Sequence, residues 1–582
     1  MGPTKKTLKN RVAEFAGDGM IEVGQVMMCS HCNTRVEWSK SDTRKKHISS
    51  ESHKKAKQQQ KSSKKRQQTF GEALETAKKR KDEKHTFILD TVEALVASNI
   101  PLHNVDHPAF QNWLHKYMPG GGDLPKSPTL REKYVPELRQ IKFEELKEIL
   151  KEKVIVIYCD ETTDSSGRAV FNILLQTVTP SDTQKLYLAS SVIVDLVNSS
   201  SCANAILECL MKMEKNINDV VAVVSDSAWC MCKCVRILKG LNPSLLHVQC
   251  WPHKLHNAAN TFQKTLPELN KAVMKVKKVF LHARKRSNEY LIFLQEKFPT
   301  EKSKWTLFPI PCITRWNSWK KSVNYLNTHF NDIMEFLEGE QDESENDDNE
   351  EEEEEDHSKD SKCIQYLKKL TGQEREEIQV QAEFVAAKCK EEEILIQLLQ
   401  TNKFPTSHLI YQKIDKDPAK DYLLGLEALL SPRNLARSPL PAEEVKKSLQ
   451  HIPFAKTIPL HDFMAGWSAL STLVKEEMKK PDFKTIKLVE LLCALKMDYP
   501  DFASKCLQAI WIFPSNANSE RSIRACNIVV NDLRRRLKPE NAETLNIIYF
   551  NRNEEERQES YNPFREEFED LGEETLMEFL GM

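Results

Sequence analysis

The sequence predicts an α/β fold, with a buried sheet wrapped by helices behind a small metal-bound module. Two apolar runs carry the sheet: VIVIYCD, ending in Asp160, and VVAVVSD, ending in Asp226. Each is short, unbroken and rich in β-branched residues, as a strand covered on both faces requires. The module is carried by Cys29-x2-Cys32 followed by His47-x5-His53, two thiolates and two imidazoles at spacings that close a tetrahedral zinc site.

The elements between the two runs set the topology. After Asp160 a short polar turn, SSGR, leads into AVFNILLQTV and KLYLASSVIVDL, which read as two further strands of a meander. CANAILECLMKMEKN is helical in period and leads to the strand that carries Asp226. Three strands, a crossover helix and a fourth strand beside the first make a ribonuclease-H-like arrangement, which brings the ends of the first and fourth strands together. Both aspartates are therefore expected where a buried strand stops and meets solvent.

A third acid joins them from far along the chain. Glu520 lies in SNANSERS, after AIWIF and Pro514, where Ser and Asn signal a helix start and place the carboxylate near the positive end of the helix. Asp160, Asp226 and Glu520, brought together by folding, could hold two divalent metals, Mg²⁺ or Mn²⁺, on a transferring phosphoryl group. The residues also admit a plainer reading. An aspartate after a strand is a common turn residue, and DETTD at 160–164 equally fits an Asx-type turn bonding local amides.

With these motifs in view the chain resembles hAT-type transposases. The family pattern is an acid after the first strand, an acid after the fourth, a Cys-x-x-His, an Arg-Trp and a late Ser-x-x-x-Glu-Arg. Here these read DETTD at Asp160, SDSA at Asp226, CWPH at Cys250 and His253, TRWNSW at Arg315 and Trp316, and SNANSER at Glu520. The resemblance spans residues 150 to 556 and implies catalytic roles for Asp160, Asp226 and Glu520, with Cys250, His253, Arg315 and Trp316 as accessory residues near DNA. It further implies DNA end cleavage and strand transfer, and self-association through a C-terminal region from Ile510 to Phe550. Read without the family, Trp316 is a core residue; beside Arg315 and in the family's Arg-Trp position, the resemblance implies an aromatic platform for an unstacked base. Cys250 and His253 could likewise open a second zinc site with Cys230, Cys232 or Cys234, although CxCxC on a helix turns its thiols to different faces.

In front of this body, residues 10 to 60 resemble a BED-type zinc finger, with CxxC on a tight turn and both histidines on one face of a following helix. Lys45, Lys46, Lys54, Lys55 and Lys57 surround the ligands, and Arg44 and Trp38 are further candidates for DNA contact. Over residues 10 to 140 the segments EFAGDG, CSHC, HISSESH, ASNIPLHNVDHPAFQNWL and GGGDLPKSPTLREKY are similar to the CGG triplet-repeat-binding protein family. That resemblance implies a second function class, a nuclear DNA-binding regulator of transcription without catalysis.

Charge and composition bound the rest. The chain has 582 residues and a formal net charge of −1, but residues 1 to 85 hold 21 Lys and Arg against 10 Asp and Glu, while Glu350 to Asp356 are all acidic. A basic arm facing nucleic acid and a solvated acidic loop follow from that asymmetry. Fifteen cysteines without a secretory core fit reduced thiols in the cytosol or nucleus, and Lys64, Lys65 and Arg66, with Lys78 to Lys81, suit nuclear import or a solvated helix face. No apolar stretch has membrane-spanning length, so no membrane partner is expected.

The expected domains are the finger at 10–60, a basic linker and helical region at 61–150, and the first part of the core at 151–316. A helical insertion follows at 317–485, with the acidic loop near 339–361. The second part of the core, at 486–556, carries the dimerisation region, and an acidic tail occupies 557–582. An insertion of that size is tolerated because loop-closure entropy grows only logarithmically with length.

Overall fold

The computed structural model describes residues 7–62, 70–118, 124–164, 166–180, 185–194, 196–312, 318–339, 362–400, 407, 417–437, 440–480, 488–530 and 537–552. Arg315, Trp316, Lys64 to Arg66, the acidic loop, residues 119–123 of the MPGGGDLPKSP break and the tail lie outside the described residues. Two compact units, Met1–Ile88 and Leu89–Met582, each have their own fold.

In the first unit the helix Leu8–Glu14 precedes three antiparallel strands, β1 (Met20–Val23), β2 (Val26–Cys29) and β3 (Thr34–Val36). Met20, Met27, Cys29 and Val36 face inward and pack with Leu8, Val12, Phe15, Trp38 and Ile48. So small a core buries little apolar surface of its own. Gly19 is required: its φ is +76°, and a Cβ there would come within 2.5 Å of the His31 ring.

Two expectations for this unit change. His47 and His53 do not share one helix, because Ser50 is extended at φ −64°, ψ 146° and separates Ser41–Ser49 from Glu51–Ser62. Ser50 Oγ donates to the His47 carbonyl over 2.7 Å and accepts the His53 N–H over 3.3 Å, so one serine closes the first helix and caps the second. Arg44 does not face solvent. It is fully buried, with its guanidinium 5.3 Å from the Phe15 ring centroid and donating to the Trp38 carbonyl, so both residues belong to the packing of the unit.

The second unit is built on a five-stranded sheet in the order β6-β5-β4-β7-β8. The strands are β4 (Ile155–Thr163), β5 (Ala169–Thr177), β6 (Leu186–Val194), β7 (Val220–Ser225) and β8 (Leu246–Gln249). The first three form the expected antiparallel meander, and β7 returns parallel to β4. The crossover helix Ser199–Lys212 starts at Asn198, whose side chain accepts the Ser200 and Ser201 N–H groups while Ser201 Oγ accepts the Asn198 N–H. The short strand β8 was not anticipated. It pairs parallel with β7 and delivers the chain to Cys250.

Alternate residues of β4 face two different cores. Ile155, Ile157 and Cys159 pack with the helices Val135–Leu150, Ser199–Lys212 and Trp229–Lys239. Val156 and Tyr158 face the helices Lys420–Leu430, Leu460–Glu477 and Pro500–Ile510. A further cluster joins Leu269 to Leu294 with Trp319 to Leu337 and Cys363 to Val385, taking in helices on both sides of residue 317. Between β8 and the helix Ala517–Val529 the described residues contain no strand. Within this unit Glu93 pairs with Lys142 at 3.2 Å and with Arg552 at 3.6 Å. No helix of the described residues is long and apolar enough to cross a membrane.

Candidate functional site

Folding brings Asp160, Asp226 and Glu520 together. Asp226 directly follows β7, as expected, but Asp160 does not end its strand. β4 continues to Thr163 because its antiparallel partner β5 is longer than β7, and Asp160 pairs with Asn172. Asp160 is thus 8% exposed, on the sheet face that it shares with Tyr158 and opposite β4 residues from Cys159. The two aspartates of DETTD have different fates. Asp164 is the turn residue, accepting the N–H groups of Ser166 and Arg168 at 2.9 Å each and the Arg168 side chain at 2.7 Å. Asp160 Oδ1 accepts the Glu161 N–H over 3.0 Å, Oδ2 is buried with no donor in hydrogen-bonding geometry, and the Glu520 carboxyl is close enough to interact with the Asp160 side chain.

Glu520 is in the first turn of the helix Ala517–Val529. Asn516 precedes that helix, but its side chain caps nothing there; it donates across the site to the Cys159 carbonyl over 2.8 Å. Its own N–H donates to Cys250 Sγ over 3.2 Å, and the Trp251 N–H donates to the Pro514 carbonyl over 2.9 Å. Cys250 in turn donates its N–H to the Ser225 carbonyl at the end of β7, over 2.7 Å. Sheet, β8 turn and Glu520 helix are thereby joined around the three acids. From the neighbouring strand, Asn172 donates to Ser522 Oγ over 2.9 Å and accepts from Ser191 Oγ over 2.6 Å. Asn546 donates to the same Ser191 oxygen over 2.9 Å.

The electrostatics follow from this crowding. Burial, then the charges of Glu520 and Asp226, hold the Asp160 carboxyl well above the usual range. Burial and then the Asp226 charge raise Glu520, and burial raises Asp226 against the opposing Ala228 N–H. His253, from the first turn of the helix Trp251–Thr265, places Nε2 3.5 Å from Glu520 Oε1. Burial, with His256 beside it, pushes its pKa down to about 4, so a neutral imidazole stands next to that carboxylate.

Cys250 is a tie between elements. Burial raises its thiol to about 12, and the other cysteines considered with it lie apart: Cys232 Sγ accepts from Gln249 and Cys234 is in the core behind the sheet. No metal-ligating group among the described residues includes them. The asparagine and serine ties at Asn516, Asn172, Ser191 and Asn546 were missed by sequence reasoning, because they are isolated polar residues up to several hundred positions apart; the NAN of SNANSER was the one local signal.

In the first unit Cys29, Cys32, His47 and His53 offer ligand atoms that all lie within 4.8 Å of one another. His53 Nδ1 is 3.4 Å from Cys29 Sγ and 3.5 Å from Cys32 Sγ. The set is a Cys2His2-like cluster that could bind zinc, the donor chemistry of a structural site.

Comparison with known proteins finds three family matches. Residues 3–59 match the CGGBP1 N-terminal domain, residues 78–137 the CGGBP1 helical domain and residues 125–285 a domain of unknown function, DUF659. The CGG triplet repeat-binding protein 1 of Mus musculus and that of Homo sapiens are each 32% identical over 130 residues, 22% of this chain and 77% of the relative. The chain belongs to the CGG triplet repeat-binding protein 1 family. Family membership rests on the N-terminal part, while the body behind it is hAT-like. The DUF659 match includes Asp160, Asp226, Cys250 and His253, and Glu520 lies outside all three matched stretches.

Proposed function

We propose that this chain is a hAT-type DNA transposase with a family-type DNA-binding front end: a BED-type zinc finger at 10–60 ahead of a ribonuclease-H-like core at 151–316 and 486–556, split by the helical insertion. The observation that carries the reading is the meeting of Asp160, Asp226 and Glu520 around a buried Asp160 oxygen with no donor in hydrogen-bonding geometry. Three buried carboxyls, with Asp160 raised by the charges of both others and Glu520 by that of Asp226, are a poor arrangement for stability alone and suit a divalent cation, Mg²⁺ or Mn²⁺, with Asp160, Asp226 and Glu520 as the holding residues. When bound, such ions supply activation of water or a 3′-hydroxyl and stabilisation of the leaving oxygen in an in-line displacement. The residues themselves hold the geometry: Asn516 fixes the Glu520 helix against β4, and neutral His253 orients the Glu520 carboxylate. Arg315 and Trp316 are assigned to the DNA side of the site by the resemblance. Self-association through 510–550 and a nuclear location belong to the same proposal.

A second reading has its own support. The stretches that match the two CGGBP1 domains, 3–59 and 78–137, hold the Cys and His cluster and the helices that follow it, and none of the three acids. On that basis the chain is a nuclear DNA-binding regulator derived from a transposase and no longer cutting DNA. Terminal inverted repeats with a short target duplication around the gene favour the first reading, and their absence the second. The direct test is divalent-metal-dependent nicking of DNA that carries the chain's own genomic flanks.

A further inference from the structure

Directly after Asp226 the chain enters the helix Trp229–Lys239, and this helix is covered on one side only. Met231, Cys234, Val235 and Leu238 are buried against the sheet. The opposite side carries Trp229, Lys233, Arg236 and Ile237 in the open, at helical spacing. Trp229 is 74% exposed, three residues beyond Asp226, and Lys233 Nζ lies 5.1 Å from its ring centroid. A large aromatic left in water gains nothing from burial, and the cation held over it keeps its charge in solvent.

We infer that the outer face of the helix Trp229–Lys239 is a single-strand binding strip that begins three residues beyond Asp226, with Trp229 as the platform for one unstacked base and Lys233 and Arg236 as contacts to successive phosphates. An aromatic face at one end of a cationic stripe is the combination that binds single strands without sequence preference. The cations commit the surface to a polyanion, since an apolar protein partner would leave both of them facing its contact. Trp229, at the Asp226 end of the helix, would hold a base where the strand passes the end of β7. The inference rests on reading the acid cluster as a site that acts on DNA, and it adds a contact that the motif pattern does not contain.

The test is fluorescence anisotropy of a labelled oligo(dT) strand with the full chain, read without cleavage. Trp229→Ala and Trp229→Leu should each weaken binding about tenfold, while Trp229→Phe keeps most of it. Lys233→Gln with Arg236→Gln should lower the slope of log affinity against log salt by roughly 1.4. The leucine variant guards against a folding artefact, because it retains an apolar side chain at an exposed position. Wild-type affinity in Trp229→Leu overturns the inference, as does equal weakening in Trp229→Phe. If Trp229-dependent binding stands while wild type cuts no DNA, the catalytic reading fails alone. If wild type cuts DNA and its strand affinity is indifferent to Trp229, the strip fails alone.

Discussion

Asn516 donates its side-chain amide to the Cys159 carbonyl over 2.8 Å, and by doing so holds Glu520, one helical turn on, beside Asp160 on the adjacent β4 residue. The bond joins residues more than three hundred positions apart. A helix tied to a strand at the very residue before a buried acid is a positioning device, so its loss should affect the site as well as the fold.

Asn516→Ala should cost about 1 to 3 kcal/mol of stability, since the amide bond is lost inside the protein and the Cys159 carbonyl is left unmet. Urea denaturation measures that cost. If the bond also places Glu520, any metal-dependent nicking should fall by more than the lost folded fraction accounts for at the assay temperature. A decline that matches the folded fraction would reduce Asn516 to a packing residue.

Asp160→Asn should behave in the opposite way on stability. The amide removes a charge that burial and two neighbouring carboxylates disfavour, and each pKa unit so relieved is roughly 1.4 kcal/mol. The variant should therefore melt at a higher temperature than wild type in chelator at neutral pH, and adding Mn²⁺ should raise the wild-type melting temperature and leave the variant's unchanged. A lower melting temperature for Asp160→Asn would show that the carboxylate is a structural group.

How far the sequence disclosed this arrangement depends on the kind of signal. β4 to β7 were legible because a strand covered on both faces must be apolar along its whole length, and the crossover helix because its apolar residues recur at helical spacing. β8, Leu246–Gln249, is too short to show a period. Asp160 was placed at a strand end because polarity in a sequence signals the end of burial; the length of β5 keeps it inside the sheet. Arg44 deceives for a related reason: a cation among lysines looks solvent-facing until Phe15, distant in sequence, and the nearer Trp38 enclose it. The Ser50 break escaped because a single extended residue leaves the polarity pattern of a helix unchanged.

Asp164 gives a pH prediction away from the acid cluster. Its desolvation, the largest single influence, raises its pKa, but the Arg168 N–H, the Arg168 guanidinium and the Ser166 N–H together lower it below the usual carboxylate range. A depressed folded pKa means that the stabilisation is present above the unfolded value, about 3.9, and is lost as pH falls through the folded one. Wild type should accordingly lose more stability than Asp164→Asn when melts are run from pH 5 down to about pH 3. Parallel curves would remove the claim.

In the first unit Cys29→Ser should unfold residues 7–62 while the second unit keeps its melting transition, because the core around Met27 is too small to stand without the cluster. Ser50→Ala is the gentler probe: it removes a cap shared by the helices of His47 and His53 and should cost about 1 kcal/mol, seen as weaker zinc retention against a chelator. Hydrogen-exchange protection of the segment that survives Cys29→Ser unchanged would contradict the zinc assignment.

The acid cluster itself is tested most directly by single-turnover nicking of DNA carrying the chain's own genomic flanks, with Mg²⁺ or Mn²⁺, comparing wild type with Asp160→Asn, Asp226→Asn and Glu520→Gln. Wild type should cut at the flanks, each amide variant should abolish cutting while leaving finger-dependent DNA binding intact, and double variants should be no worse than single ones because the three ligands act as a unit. Cleavage by Glu520→Gln at the wild-type rate, or no cleavage by wild type on these ends, would contradict the account and leave the non-catalytic regulator.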